Sequence, residues 1–199
     1  MYFNLSFYPQ FGTRLAEAIN AIRSKYDPTS PFYEPHITVI FPTHERIGRQ
    51  NLIDHIQDIL DKWKPFEIQL GGLDLRPNHW LLLGLQKGKA EIKRLYKELH
   101  AGILSDGRDL SKYNPHLSLG LFIKEGTAHD WFNPRESDFD QERYQEALLL
   151  ANSLPLSESV LIDKFLLGSF PDTVIEWIRG KRIHIPQDAQ ETIVHEFIL

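Results

Sequence analysis

The string Pro35-His36-Ile37-Thr38-Val39 returns in the second half of the chain as Pro115-His116-Leu117-Ser118-Leu119. Composition alone predicts roughly 0.05 Pro-His-x-Ser/Thr strings in such a chain, so two of them mark an internal repeat. The surrounding pattern repeats as well. Leu15, Ile19, Ile22 and Tyr26 recur at helical spacing until Asp27-Pro28 stops them, and the first Pro-His strand follows. Leu52, Ile53, Ile56, Ile59, Leu60 and Trp63 then predict a second helix, and FEIQLGGLDL and WLLLGL a hairpin about Arg76-Pro77-Asn78. The second half gives a helix over residues 89–104, the second Pro-His strand, and a helix opened by Ser137 and Asp140 and running to about Ala151. SVLIDKFLLGSF and VIEWIRGKRIHI are expected as further strands, the latter turning at Gly180-Lys181, and IVHEFIL as one more. Before the first helix, Phe3, Leu5 and Phe7 alternate with Tyr2, Asn4, Ser6 and Tyr8, which predicts an opening strand with one buried face. Each half therefore reads as helix, Pro-His strand, helix and two strands, an α+β architecture duplicated within residues 1–199 as one domain of two lobes.

The chain has 199 residues, 42% of them hydrophobic, enough to fill the interior of one medium domain or two small fused lobes. Its formal charge of −5 argues against coating long nucleic acid by gross electrostatics. The absence of cysteine removes disulfides, thiolate metal sites and cysteine nucleophiles together. The N-terminal residues do not form a secretory signal and no stretch is long and apolar enough to span a membrane, so a cytoplasmic protein away from membranes is expected.

Within a strand, residues i and i+2 share a face. His36 therefore sits beside the Thr38 hydroxyl and His116 beside that of Ser118, while Ile37, Val39, Leu117, Leu119 and Leu121 turn to the apolar side. By the same parity Gly120 leaves open space next to Ser118, Phe122 faces a cleft, and Phe41 belongs to the core. Two imidazoles and two hydroxyls around one cavity suit a phosphodiester. One imidazole takes a proton from the attacking oxygen, the other gives one to the leaving oxygen, and the hydroxyls hold the non-bridging oxygens. Such chemistry requires no metal or cofactor. Tyr33 and Tyr113 each precede their histidine by three residues and, with Phe122, are candidates for stacking against a base.

The paired His-x-Thr/Ser strands, their apolar flanks, the order of elements and the FEIQLGGL…WLLLGL hairpin resemble the 2H phosphoesterase superfamily, in its 2′,5′-RNA ligase-like and cyclic phosphodiesterase branch. The resemblance runs from residue 2 to about 185. It implies a bilobal fold of pseudo-twofold duplicated antiparallel sheets with flanking helices and a central cleft. It also implies His36 and His116 as the catalytic pair, Thr38 and Ser118 as phosphate-binding hydroxyls, and metal-independent action on 2′,3′-cyclic or 2′,5′-linked phosphodiesters of a nucleotide or RNA end. A monomer is expected, and no protein partner can be inferred.

Arg108 and Lys112 precede the second motif, where a cation could meet phosphate, but solvated loop charges are the commoner explanation. His44, His55, His79, His100, His129, His184 and His195 lack metal-ligand spacing. No P-loop or dinucleotide fingerprint is present. Two other readings remain: a module that binds a phosphorylated nucleotide or RNA end without turnover, and a hydrolase holding a metal between the histidines and a carboxylate.

Overall fold

The computed structural model describes residues 1–75, 79–124, 130–131, 133–182 and 184–199. The turn expected at Arg76-Pro77-Asn78 and His129 lie outside the described residues. In chain order the elements are β1 (Tyr2–Phe7), α1 (Thr13–Tyr26), β2 (Ile37–His44), α2 (Arg49–Leu60), β3 (Phe66–Leu75), β4 (Trp80–Lys87), α3 (Lys89–Leu99), β5 (Leu117–Leu121), α4 (Gln141–Ser153), β6 (Glu158–Ile162), β7 (Lys164–Phe170), α5 (Asp172–Ile178) and β8 (Thr192–Ile198). They build two antiparallel four-stranded sheets, ordered β2-β1-β7-β8 and β5-β4-β3-β6.

The duplication is reciprocal. The unit β1-α1-β2-α2 has its counterpart in β4-α3-β5-α4, and each sheet takes a strand from beyond the other unit: β3, directly after the first unit, pairs with β4, and β7, which follows β6 after the second, pairs with β1, while β6 stays in the second unit's sheet beside β3. The first helix of each unit also packs on the other's motif strand, α1 on β5 and α3 on β2. The apolar stripes of α1 and α3 thus close one core with Leu5, Phe7, Ile37, Val39, Leu81, Leu83, Leu117 and Leu119.

The stretch from Val174 departs from the sequence expectation of a strand, since Val174 to Ile178 belong to α5. A short β-branched apolar run fits either element by pattern alone. Packing decides it: Val174 and Ile175 bury against Phe170 and Ala189, and Trp177 against Leu121 and Trp131. The strands expected in SVLIDKFLLGSF and IVHEFIL are present as β6, β7 and β8.

The register reveals a second repeated feature that no periodicity shows. On β2, Thr38 opposes Ser6 and Ile40 opposes the adjacent Leu5, so Val39 is an extra residue. On β5, Ser118 opposes Leu82 and Gly120 opposes the adjacent Leu81, so Leu119 is extra. Both motif strands bulge at the residue after the hydroxyl, which re-aims everything beyond it. Gly120 accordingly faces the packing side, where an added Cβ would lie 2.9 Å from both Phe122 Cζ and Tyr26 Cβ. The open space expected beside Ser118 is not there. Strict two-residue parity fails at this point because the bulge inserts one residue.

Candidate active site

Each motif histidine begins where a proline ends an irregular lead-in. His36 Nδ1 is 2.8 Å from the carbonyl oxygen of Glu34, and His116 Nδ1 is 2.6 Å from that of Asn114. A carbonyl only accepts, so both rings carry hydrogen on Nδ1, and Nε2 is the nitrogen through which either ring gains or loses a proton. The intervening Pro35 and Pro115 restrict the backbone that holds these contacts.

The first lead-in is anchored from inside the protein. Arg23 Nε pairs with Asp27 Oδ2 at 2.8 Å, and the two side chains are only 4% and 0% exposed. Arg23 Nη2 donates to the Tyr33 carbonyl at 2.8 Å, and Asp27 Oδ1 accepts from the Thr29 amide and hydroxyl at 2.8 and 2.6 Å. Burial holds the His36 imidazole below the ordinary histidine range, opposed by the Glu34 carbonyl and the Glu191 and Asp27 carboxylates, with Arg23 reinforcing the depression.

The polar face of β1 adjoins His36 and contributes residues that sequence reasoning did not assign to the site. Asn4 Nδ2 donates to Ser6 Oγ, and Ser6 Oγ to Thr38 Oγ1, each at 3.4 Å. With Thr38 Oγ1 accepting from Ser6, its own hydrogen is available to a substrate oxygen. Asn4 and Ser6 are buried on a central strand, where polar groups need a reason. The alternation of β1 shows their face but not the strand they would oppose. In the second unit Leu82 takes the place opposite Ser118, so the two hydroxyls have unlike supports.

Glu191, from the segment before β8, completes the His36 surroundings. It accepts a hydrogen bond from the Tyr8 hydroxyl, and the Tyr8 ring lies 5.4 Å from the His36 ring. Its side chain occupies the space over Gly168, where a Cβ would fall 1.8 Å from Oε1. Gly168 is opposite Asn4 in register, which places Glu191 on the same sheet face as Asn4, Ser6 and Thr38. Glu191 is distant in sequence from both motifs, and nothing local to it signals this position.

The two motifs meet through Tyr113, whose hydroxyl donates to the Thr38 carbonyl at 2.7 Å. Its ring stacks on Tyr96 with centroids 3.8 Å apart and only 7% of the residue is exposed, so it presents no face to a base. Phe122 is likewise withdrawn. It is fully buried against Tyr26 and Tyr144, because the bulge turns it away from the cleft side. Of the three aromatic candidates Tyr33 alone stays half-exposed, with its ring 6.4 Å from His36. Phe41 packs on the core, edge-on to Tyr113.

Arg108 and Lys112 pair within their own loop, with Asp106 and Asp109. His55, His79 and His100 bind backbone carbonyls of Leu99, Arg135 and Tyr96. Among the described residues no three His, Asp or Glu side chains converge as a metal site would require, and no helix is long and apolar enough to cross a membrane.

A family model described as the 2′-5′ RNA ligase superfamily matches residues 11–149. The chain belongs to that family, within the 2H phosphoesterases. A Bacillus cereus (strain B4264) protein named "Putative phosphoesterase" is 25% identical over 158 residues, 77% of this chain and 91% of that protein. A Bacillus mycoides (strain KBAB4) protein of the same description is also 25% identical, with the same coverage. Among solved structures, TT0787 of Thermus thermophilus superposes with a TM-score of 0.63 at 16% identity, covering 100% of this chain and 98% of its own. Apo LigT of E. coli superposes with a TM-score of 0.58 at 13% identity, covering 100% and 96%. LigT has also been solved with 3′-AMP, at a TM-score of 0.55 and 13% identity, covering 100% of this chain and 99% of its own. These likenesses establish the duplicated α+β fold.

Proposed function

We propose that this 2H family member is a phosphodiesterase that opens 2′,3′-cyclic or 2′,5′-linked nucleotide phosphodiesters by general acid–base catalysis from two histidines. The matched motifs carry the reading: each presents an imidazole with Nδ1 tied to the carbonyl two residues before it, a hydroxyl two residues after it, and a bulge immediately beyond. Binding alone does not need two titrating rings held in the same tautomer. The nucleotide found in the LigT complex fits the same substrate class.

For a cyclic substrate, the Nε2 of one neutral ring removes a proton from water as its oxygen attacks phosphorus. The bond to the 2′- or 3′-oxygen breaks, and the other ring, as imidazolium, protonates that oxygen. The Thr38 and Ser118 hydroxyls donate to the non-bridging oxygens as charge accumulates there.

The test is hydrolysis of a panel of 2′,3′-cyclic nucleotides in EDTA by the parent, His36→Ala and His116→Ala. Each substitution is expected to cost about 10²- to 10⁴-fold in kcat. Turnover that survives either substitution, or that EDTA abolishes, would refute the mechanism.

A further inference from the structure

A cavity of about 520 Å³ adjoins the first motif, lined in part by Tyr8 and Tyr33, whose rings lie 5.4 and 6.4 Å from that of His36. We propose that this cavity seats the ring carried on the reacting phosphate, a nucleobase or a heteroaromatic group of similar size, while the phosphate lies at the histidines. This inference rests on the phosphodiesterase reading and specifies what the substrate carries.

Position is the first argument. Tyr33, Glu34 and Pro35 line the cavity and lead directly into His36, and the Tyr8 ring borders both cavity and imidazole. The volume falls within the range of small-molecule sites, roughly 300–1,000 Å³.

Chemistry is the second. Phe11, Phe32, Tyr8 and Tyr33 provide aromatic surface, and Asn20 and Gln190 provide amides that both donate and accept. The charged residues on the lining are Glu34 and Glu191, both carboxylates, and Arg23, which holds the Tyr33 carbonyl behind them, is buried and paired with Asp27. Such a wall repels a second phosphate and accepts hydrogen bonds from ring N–H groups. Aromatic surface with sparse polar groups is also how proteins hold unstacked bases.

The third argument is that the walls are fixed. Tyr33 donates its hydroxyl hydrogen to the Ala189 carbonyl at 2.9 Å, and Tyr8 donates to Glu191. Ala189 itself is buried with Val174 and Ile175 of α5. Both tyrosines are thus tied to the segment before β8, which lies beyond the stretch matched by the family model. A site whose walls are already held in place loses less on ordering when it binds.

Ala16 and Asn20 reach the cavity from α1, whose buried stripe lies at Leu15, Ile19 and Ile22. Ala16→Trp and Asn20→Trp therefore fill the cavity without replacing a core residue. The experiment compares parent and both variants on 2′,3′-cyclic AMP and on glycerol 1,2-cyclic phosphate, which has the reacting group and no base. It also titrates 3′-AMP calorimetrically, after denaturant unfolding has shown each variant folded. The expected result is a fall of tenfold or more in kcat/KM for cyclic AMP, carried by KM, with the glycerol substrate unchanged and 3′-AMP binding weakened in parallel. Cyclic AMP turnover unaffected by both variants, or equal losses on both substrates, overturns the proposal. If the parent hydrolyses neither substrate, the phosphodiesterase reading fails separately and the titration decides. Binding of 3′-AMP that both variants abolish upholds the cavity, whereas no binding, or binding the variants leave intact, overturns it.

Discussion

Replacing Asp27 by alanine removes one member of a buried pair and leaves the other in place. The Arg23 guanidinium, in a side chain 4% exposed, would keep its bond to the Tyr33 carbonyl and lose the carboxylate 2.8 Å from Nε. Stranding a buried charge in this way costs about 3–5 kcal/mol. The Thr29 amide and hydroxyl also lose their acceptor, but Thr29 is partly exposed and water offsets most of that loss. Against a total stability of roughly 5–15 kcal/mol for a folded protein, this is about a fifth of the whole or more. Urea unfolding should show the midpoint falling with little change in slope. Arg23→Met combined with Asp27→Leu should recover most of the loss, since no charge is then left unpaired. A single substitution costing under about 1 kcal/mol, or a double variant no better than the single, would refute the assignment of the pair as the anchor of the His36 lead-in.

Gly120→Ala must displace Phe122 or the start of the Tyr26 side chain, each 2.9 Å from the new methyl. Overpacking there should cost about 1–3 kcal/mol in chemical denaturation, and a neutral result would contradict the bulge geometry. Tyr113→Phe deletes the hydrogen bond between the two motifs and should destabilise by about 1 kcal/mol, with kcat reduced more than KM is raised. Proton NMR titration of the His36 ring should place its pKa below the usual 6.5. Glu191→Gln removes a negative charge that favours the imidazolium, so it should lower that value further. A value that rises, or does not move, would show that Glu191 does not act on His36.

The histidines and their hydroxyls could be proposed from sequence because their information is local: a repeated string and a two-residue spacing set imidazole and hydroxyl on one strand face without knowledge of any neighbour. Asn4 and Ser6 were half legible, since alternation in β1 put them together on one face without showing that Thr38 would stand opposite it. Glu191 was not legible, because its place depends on β7 pairing with β1 and on a glycine at residue 168, both long-range facts. Phe122 and Gly120 were misread for a different reason. Parity holds along a strand only while each residue opposes one partner, and the extra Leu119 reverses it. In α5 the pattern was compatible with two elements, and burial against Phe170, Ala189 and Trp131 selected the helix.

The exchange of strands between the two units bears on how the chain can be divided. Cut between β3 and β4, the first fragment keeps β1 and β2 as a two-stranded ribbon and carries β3 with no partner. The second keeps β7 and β8 without β1, and β5 and β4 without the strand that joins them to β6. Each piece holds the strand the other lacks, and each holds one of the two histidines. The fragments are therefore suited to complementation: separately inert, and active once mixed, with the amount of restored hydrolysis reporting how much of the intact fold has reassembled.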